Sequence, residues 1–373
     1  MMKATVLQEN LLPKVAAVAR IASAKSALPV LENILLSAEK GKLTLAATDL
    51  ETGIKTEVGA KVEKSGALTV PARLLVGLIG NLPPGKVTLS AEKDLLTIEA
   101  EGISSRINGL AAEEFPAFTV EGKELFTLKA SELKKAIDQV SFAAAQDESR
   151  PILTGVLLRI GGGELVLTGV DGFRLAEKKL KVSVSVKSEP GSEAVTLVVP
   201  ARGLIEVGRL VEGGEVKVSI PELTQLLFQT EEFSIFTQSL EGEFPDYEQI
   251  IPTNFETKLT FEKEEFVKAV QLTSIFSERG TSVIKLSHQP AKGTAEVSSQ
   301  EAELGEVKIE IAIKGEGKVG EIAFNCRYLS DCLGALDSGR IELSLNSALD
   351  PALFRAPSDP SYLHVVMPVR LQG

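Results

Sequence analysis

Tryptophan is absent from this 373-residue chain, and cysteine and histidine occur only twice each. Aromatic residues make up 5%, too few for a platform on which single-stranded bases stack. Cys326 and Cys332 fall on one predicted helix, whose spacing cannot bring their sulfurs to disulfide distance. They read as buried thiols of a reducing cytoplasm. His288 and His364 lie near no cysteine or carboxylate cluster with ligand spacing, so no metal or other cofactor is expected. No apolar run reaches the ~20 residues that span a bilayer. Met1–Val6 lacks the apolar stretch of a secretory signal, so a cytoplasmic protein is expected.

Catalytic groups are equally scarce. Two histidines support no Ser-His-acid or Cys-His constellation. Asp49 in LAATDLETG and Asp171 in LTGVDGFRLA occupy matched places and could serve as metal ligands or acid–base groups. Aspartate followed by Gly or Leu after a strand is more often a turn, and the third matching stretch, Glu296–Glu303, has no clear aspartate. Gly161-Gly162-Gly163 lacks the Lys-Ser/Thr of a phosphate loop and lies between two strand-like runs, which predicts a hairpin turn.

What the chain does have is internal repetition. VPARLL (Val70–Leu75), VPARGL (Val199–Leu204) and FNCRYL (Phe324–Leu329) each follow an apolar strand-like run and open a segment of helical spacing. Arg73, Arg202 and Arg327 lie about 125–130 residues apart, a spacing too long for a solenoid. Alternating strands are predicted after each block, over Lys86–Ile98, Glu215–Phe228 and Arg340–Phe354. Upstream of the blocks, Leu11–Ala22, Ser131–Ala145 and Glu262–Phe276 carry helical apolar periodicity. In all three a lysine follows a large apolar residue by two: Leu12–Lys14, Leu133–Lys135 and Phe266–Lys268. Half a turn of rotation predicts that each lysine leaves the apolar face. Phe115-Pro116, Phe244-Pro245 and Met367-Pro368 end the copies. The result is three α+β domains, over residues 1–122, 123–252 and 253–373.

The formal net charge of −11 argues against nucleic acid, yet its distribution is uneven. Acidic residues crowd loops and strand ends, at Glu113-Glu114, Glu231-Glu232 and Glu241 to Glu243. Lys14, Arg20, Lys25, Arg73, Lys134, Lys135, Arg150, Arg202, Lys268, Arg279 and Arg327 instead fall on or beside predicted helices. Solvated helix faces account for such residues in general. Recurrence of two cations at matched positions favours a DNA-facing surface.

LAATDLE (Leu45–Glu51), the two VPAR blocks, VDGFRLA (Val170–Ala176), EFPDYEQIIP (Glu243–Pro252) and YLHVVMPVRL (Tyr362–Leu371) span the chain. In this order they resemble the DNA polymerase III beta subunit family of bacterial sliding clamps. Phe173 stands where many members have histidine, Glu248-Gln249 where a basic pair is common, and Gln372-Gly373 extends beyond the usual terminal leucine. The resemblance implies a DNA clamp fold with two βαβββ units per domain, sheets outside and helices lining a ring. It implies a non-enzymatic homodimer that encircles double-stranded DNA without sequence preference. It also implies a replicative polymerase, a clamp loader and other clamp-binding proteins as partners. These would dock in a peptide cleft at Leu153, Val170, Gly172, Phe173, Arg174, Leu175, Pro245, Ile250, Val365, Met367, Pro368, Val369, Arg370 and Leu371. Ile107 would lie at one dimer surface, Ile275 and Phe276 at the other, although ordinary core explains these three as well. Two other readings stay open: an enzyme using Asp49 and Asp171, and a protein-only scaffold.

Overall fold

The computed structural model describes residues 1–22, 28–116, 118, 121–184, 195–222, 224–277, 282–301 and 305–370. The first repeat runs β1 (Met2–Leu7), α1 (Gln8–Ala19), β2 (Asn33–Glu39), β3 (Lys42–Thr48), β4 (Thr52–Gly59), β5 (Lys61–Lys64), β6 (Gly66–Pro71), α2 (Ala72–Gly80), β7 (Lys86–Glu92), β8 (Leu95–Ala100) and β9 (Ile103–Asn108). The second runs β10 (Lys123–Lys129), α3 (Ala130–Val140), β11 (Gly155–Gly161), β12 (Glu164–Val170), β13 (Arg174–Lys181), β14 (Ser183–Val184), β15 (Val195–Pro200), α4 (Ala201–Leu210), β16 (Glu215–Ile220), β17 (Gln225–Gln229) and β18 (Phe233–Gln238). The third runs β19 (Thr257–Glu262), α5 (Lys263–Ser277), β20 (Val283–Gln289), β21 (Thr294–Glu301), β22 (Gly305–Glu316), β23 (Gly320–Asn325), α6 (Cys326–Ala335), β24 (Arg340–Leu345), β25 (Ala352–Ala356) and β26 (Asp359–Val366). Each repeat is thus strand, helix and three strands, twice over, with β5 and β14 as short additions.

The expected single strands after each repeated block are hairpins instead: β7–β8, β16–β17 and β24–β25. Both arms of each hairpin bury the same face, so each arm alternates like the single strand expected. Lys93 turns the first with a φ of 50°, a conformation that a sequence pattern marks only when glycine or asparagine holds it. Gly162 and Gly163, at φ 61° and 79°, form the expected turn between β11 and β12.

By compactness the chain divides into two units, and the second repeat contributes to both. One unit holds residues 1–134, 183–191 and 206–239; the other holds 135–182, 192–205 and 240–373. In the first, β5-β1-β7-β8-β9 form one sheet and β14-β10-β16-β17-β18-β4-β3-β2-β6 another. In the second, twelve strands follow the order β15-β11-β12-β13-β26-β25-β24-β19-β22-β21-β20-β23. The longer sheets arise because the last strand of one repeat pairs with β4 or β13 of the repeat before it. Ile235 lies opposite Ile54, and Val365 opposite Leu175.

Burial follows the pleat. One face of β2, β3, β7 and β8 is apolar and closed: Ile34, Leu36, Leu43, Leu45, Leu89 and Ile98 are all buried. The opposite face is apolar only where a linker lands on it. Phe115 and Phe118 cover Leu35 and Ala46 in the first repeat. Phe244 and Tyr247 cover Leu157, Val170 and Leu175 in the second. In the third repeat that face carries Lys285, Ser287, Glu296, Ser298, Lys308 and Glu310. The segment after each last strand also bridges to the strand that opens the repeated block. Leu110 exchanges hydrogen bonds with Thr69, Leu240 N–H donates to Val198, and Val369 N–H donates to Ala323.

Both cysteines are free and buried on α6. Both histidines are buried, and burial lowers both pKa values; that of His364 falls to about 3. Its Nδ1 lies 3.1 Å from the Tyr362 hydroxyl and its ring stacks on Phe142. The folded state holds His364 neutral while the unfolded chain binds a proton below about pH 6.5. Its contribution to stability is therefore full above pH 6.5 and falls by up to about 1.4 kcal/mol per pH unit toward pH 3. Urea unfolding of the parent and His364→Gln should show the parent's advantage shrinking by about 2 kcal/mol between pH 7.5 and 5. A difference constant over that range would contradict a buried neutral imidazole.

Candidate functional site

Three helix starts share one construction. Ala72, Ala201 and Cys326 are the first helical residues of α2, α4 and α6, and all three are buried. The next residue of each therefore turns outward, and Arg73, Arg202 and Arg327 are all exposed. Asn325 caps α6, its Oδ1 accepting from Arg327 N–H at 2.9 Å and from Tyr328 N–H at 3.3 Å. Arg73 and Arg202 form no ion pair among the described residues, and Arg327 reaches only Gln146, at 3.5 Å. Backbone dipoles make a helix N-terminus positive, so a cation there costs roughly 0.3–1 kcal/mol. Helix stability does not explain arginine at this position in three copies.

The lysines behave differently. Lys14 does not leave the apolar face: its side chain is only 15% exposed, paired with Glu232 and placed 4.3 Å over the Phe233 ring. Lys135 pairs with Asp337 at 2.7 Å and holds that carboxyl below its ordinary range. Lys268 pairs with Glu264 one turn earlier, at 2.7 Å. Lys134 donates to the Gly208 carbonyl at 3.0 Å. Arg20 pairs at 2.9 Å with Glu206, a buried carboxylate also held by Arg209. Arg150 is exposed. Lys25 and Arg279 lie outside the described residues.

The second group of candidates gathers around Arg174. This guanidinium is buried and donates to Asp171 at 2.9 Å, to Asp331 at 2.6 Å and to the Phe142 carbonyl at 2.6 Å. It also lies 4.6 Å from the Tyr328 ring centre and 5.3 Å from that of Phe142. Asp171 makes the expected turn, its Oδ1 accepting from Phe173 and Arg174 N–H. Gly172 supplies the φ of 87° that the turn needs. Asp49 makes the same turn, accepting from Glu51 and Thr52 N–H. The turn lifts Phe173 to 60% exposure, stacked on Tyr328 with centroids 6.1 Å apart.

Val170, Leu175 and Val365 join Leu157, Val198, Tyr247 and Leu353 in one buried cluster, which forms a floor. Met367 N–H donates to the Phe173 carbonyl at 2.8 Å, so the C-terminal segment runs beside that aromatic ring. Leu153 is buried; Pro245, Ile250 and Arg370 are exposed; Met367, Pro368 and Val369 are half-buried. Leu371 lies outside the described residues. A cavity of about 420 Å³ adjoins Val369 and Arg370, lined also by Ile322, Ala323 and Leu349. Tyr328, Asp331 and Phe142 are members that sequence reasoning missed. Tyr328 was within reach, standing next to the repeated Arg327.

Of the three interface candidates, Ile275 is 63% exposed and Phe276 half-buried, beside exposed Leu272 on α5. Ile107 is 7% exposed and faces the core of its own sheet.

These features define a chain of three clamp-type repeats, each presenting a cation at a helix start, with an aromatic-walled apolar surface near the C-terminal strand. Family models for the N-terminal, central and C-terminal domains of the DNA polymerase III beta subunit match residues 2–119, 127–246 and 248–370. The chain belongs to that family. It is 32% identical to the beta sliding clamp of Synechocystis sp., over 99% of this chain and 100% of that one. The crystal structure of the Bacillus subtilis DNA polymerase sliding clamp superposes with a TM-score of 0.93 at 28% identity, covering 100% of both chains. That of the Pseudomonas aeruginosa DNA polymerase III subunit beta gives 0.91 at 30%, over 99% and 100%. The function is that of a sliding clamp in DNA replication rather than of an enzyme.

Charge reversal should separate the two sets of cations in urea unfolding. Arg73→Glu and Arg202→Glu place a carboxylate at a positive helix end and should be neutral or stabilising by up to about 1 kcal/mol. Lys14→Glu strands a half-buried carboxylate beside Glu232 and should destabilise by about 1–3 kcal/mol. Equal losses at all three positions would contradict the distinction.

Proposed function

We propose that two copies join head to tail into a ring of six domains, with boundaries at residues 1–122, 123–252 and 253–373. The ring encircles duplex DNA in the cytoplasm and tethers the replicative polymerase. One observation carries this reading. In the first unit β18 pairs with β4, and β14 and β5 return to β10 and β1, the strands that begin their own repeats. In the second unit β26 pairs with β13 in the same way. Strand β22 is the third counterpart: its end, from Ile313 on, pairs with β19, while Gly305–Ala312 pairs with β21 alone. The last strand of the first repeat, β9, is the edge of its sheet. Among the joins between repeats, the described residues therefore leave one donor edge and one acceptor edge open, and a second copy satisfies both. Helix residues support the same contact, since Leu272 and Ile275 on α5 and Leu74 on α2, at 59%, are exposed large apolar side chains.

Inside such a ring the helix-start arginines meet phosphates. Arg73, Arg202 and Arg327, with Arg150 and the exposed Lys135 and Lys268, make contacts that carry no sequence information and so permit sliding. Acidic surfaces elsewhere repel DNA and leave the bore as the favourable place. The surface around Phe173, Tyr328 and Met367–Arg370 docks short partner segments with apolar anchors, from the polymerase, the clamp loader and other replication and repair proteins.

Light scattering at micromolar concentration should give roughly twice the 39.8 kDa chain mass. Ile275→Asp should shift the protein to monomers, because the contact would bury an unpaired carboxylate. Each Arg→Glu change at Arg73, Arg202 or Arg327 should lower DNA retention on any sequence and reduce the salt slope by about one. A protein monomeric throughout, or losses confined to particular DNA sequences, would overturn the reading.

A further inference from the structure

Strand registers place two triads in equivalent positions of the first and second repeats. Leu35 lies opposite Ala46, and Ala46 opposite Lys55. Leu157 lies opposite Thr168, and Thr168 opposite Glu177. The second triad is covered by the chain's own linker. Tyr247 is buried over it and donates to Glu177 Oε2 at 2.7 Å, with the Arg159–Glu248 ion pair alongside at 2.8 Å. In the first triad Phe115 and Phe118 cover Leu35 and Ala46, but no linker side chain pairs with Lys55 among the described residues. Phe118 stands where the tyrosine would and has no hydroxyl, Ala46 is shorter than Thr168, and Phe118 packs on Phe236 at 4.6 Å. A cavity of about 510 Å³ remains over Leu35, Ala46 and Lys55, walled by Phe115, Pro116 and Phe118.

Charge is also reversed between the two places. Lys55 occupies the position of Glu177 and forms no ion pair among the described residues. The remaining charges at the cavity are paired, Lys42 with Glu57 at 2.5 Å and Lys40 with Glu39 at 3.0 Å. The unbalanced charge is one lysine at the floor of a pocket with aromatic walls.

We propose that this cavity binds an acidic peptide segment of a partner protein that inserts an aromatic side chain. The second repeat shows the kind of occupant that such a triad takes: an aromatic ring carried by Glu243–Glu248, whose sequence is EFPDYE. Phe118 is half-buried and packs on Phe115, 6.5 Å away and inclined at 56°, so the cavity has an aromatic wall suited to an incoming ring. Lys55 gives a charge-assisted hydrogen bond to a carboxylate beside it. The volume lies within the range of pockets that hold small ligands and side chains. This site is separate from the surface around Phe173 and Met367.

The probe is a fluorescein-labelled peptide, Glu-Phe-Pro-Asp-Tyr-Glu, titrated into the full chain with anisotropy as the readout. Saturable binding is expected, weakened at least tenfold by Lys55→Glu and by the cavity-filling Ala46→Phe. Lys55→Gln provides a second charge-removing variant should either of these fail to fold by circular dichroism. A peptide with its three acids changed to lysine should bind Lys55→Glu better than the parent. An unlabelled peptide with Leu and Phe anchors, in excess, should leave the signal unchanged. Absence of saturation up to about 1 mM, undiminished affinity in Lys55→Glu or Lys55→Gln, or displacement by the Leu-Phe peptide would overturn the proposal.

Discussion

Backbone hydrogen bonding at strand edges is the constraint on which the rest of this structure depends. A strand with an open edge offers unpaired N–H and C=O groups to any chain it meets. Here each repeat ends in a strand that the preceding repeat can use, and the joins β4–β18 and β13–β26 are made with side chains in register. Such joins turn separate domains into continuous sheets. The β22 and β9 edges stand out because their counterparts among the described residues, at β4, β13, β18 and β26, are occupied.

Side-chain chemistry follows from that backbone pattern. Where a linker crosses a sheet face, as at Phe115 and Tyr247, it covers apolar residues such as Ala46 and Leu157; the matching face of the third repeat is polar. The buried charged groups near the second join, Lys178 and Arg174, are paired. Lys178 reaches Asp359 at 2.6 Å and Ser361 at 2.8 Å, and Arg174 satisfies Asp171 and Asp331. Truncating one member would leave a buried charge unpaired, a cost of about 3–5 kcal/mol in well-buried cases. The arginines at the helix starts contrast with this economy, since they are exposed, mostly unpaired and placed against the helix dipole.

Much of the architecture was legible because its determinants are local. The repeated VPAR-type block marks the end of an apolar strand and a helix start that carries an arginine within six positions. Asp49 and Asp171 are turn formers because their own side chains reach N–H groups two and three residues on. What was not legible depends on partners far along the chain. Lys14 is captured by Glu232 and Phe233, and Arg174 by Asp331; helical rotation says nothing of either. Ile107 reads equally as core or interface until its strand is placed in a sheet. The hairpin at Lys93 was hidden because a non-glycine residue makes the turn.

In the proposed ring, DNA would be held by topological linkage rather than by tight contact. Gel filtration of the protein after loading onto circular plasmid, before and after a single double-strand cut, tests it most directly. Retention on the circle at a salt concentration that abolishes simple phosphate binding, followed by release on linearisation, is the predicted result. Equal retention on circular and linear DNA, or loss from both, would contradict it.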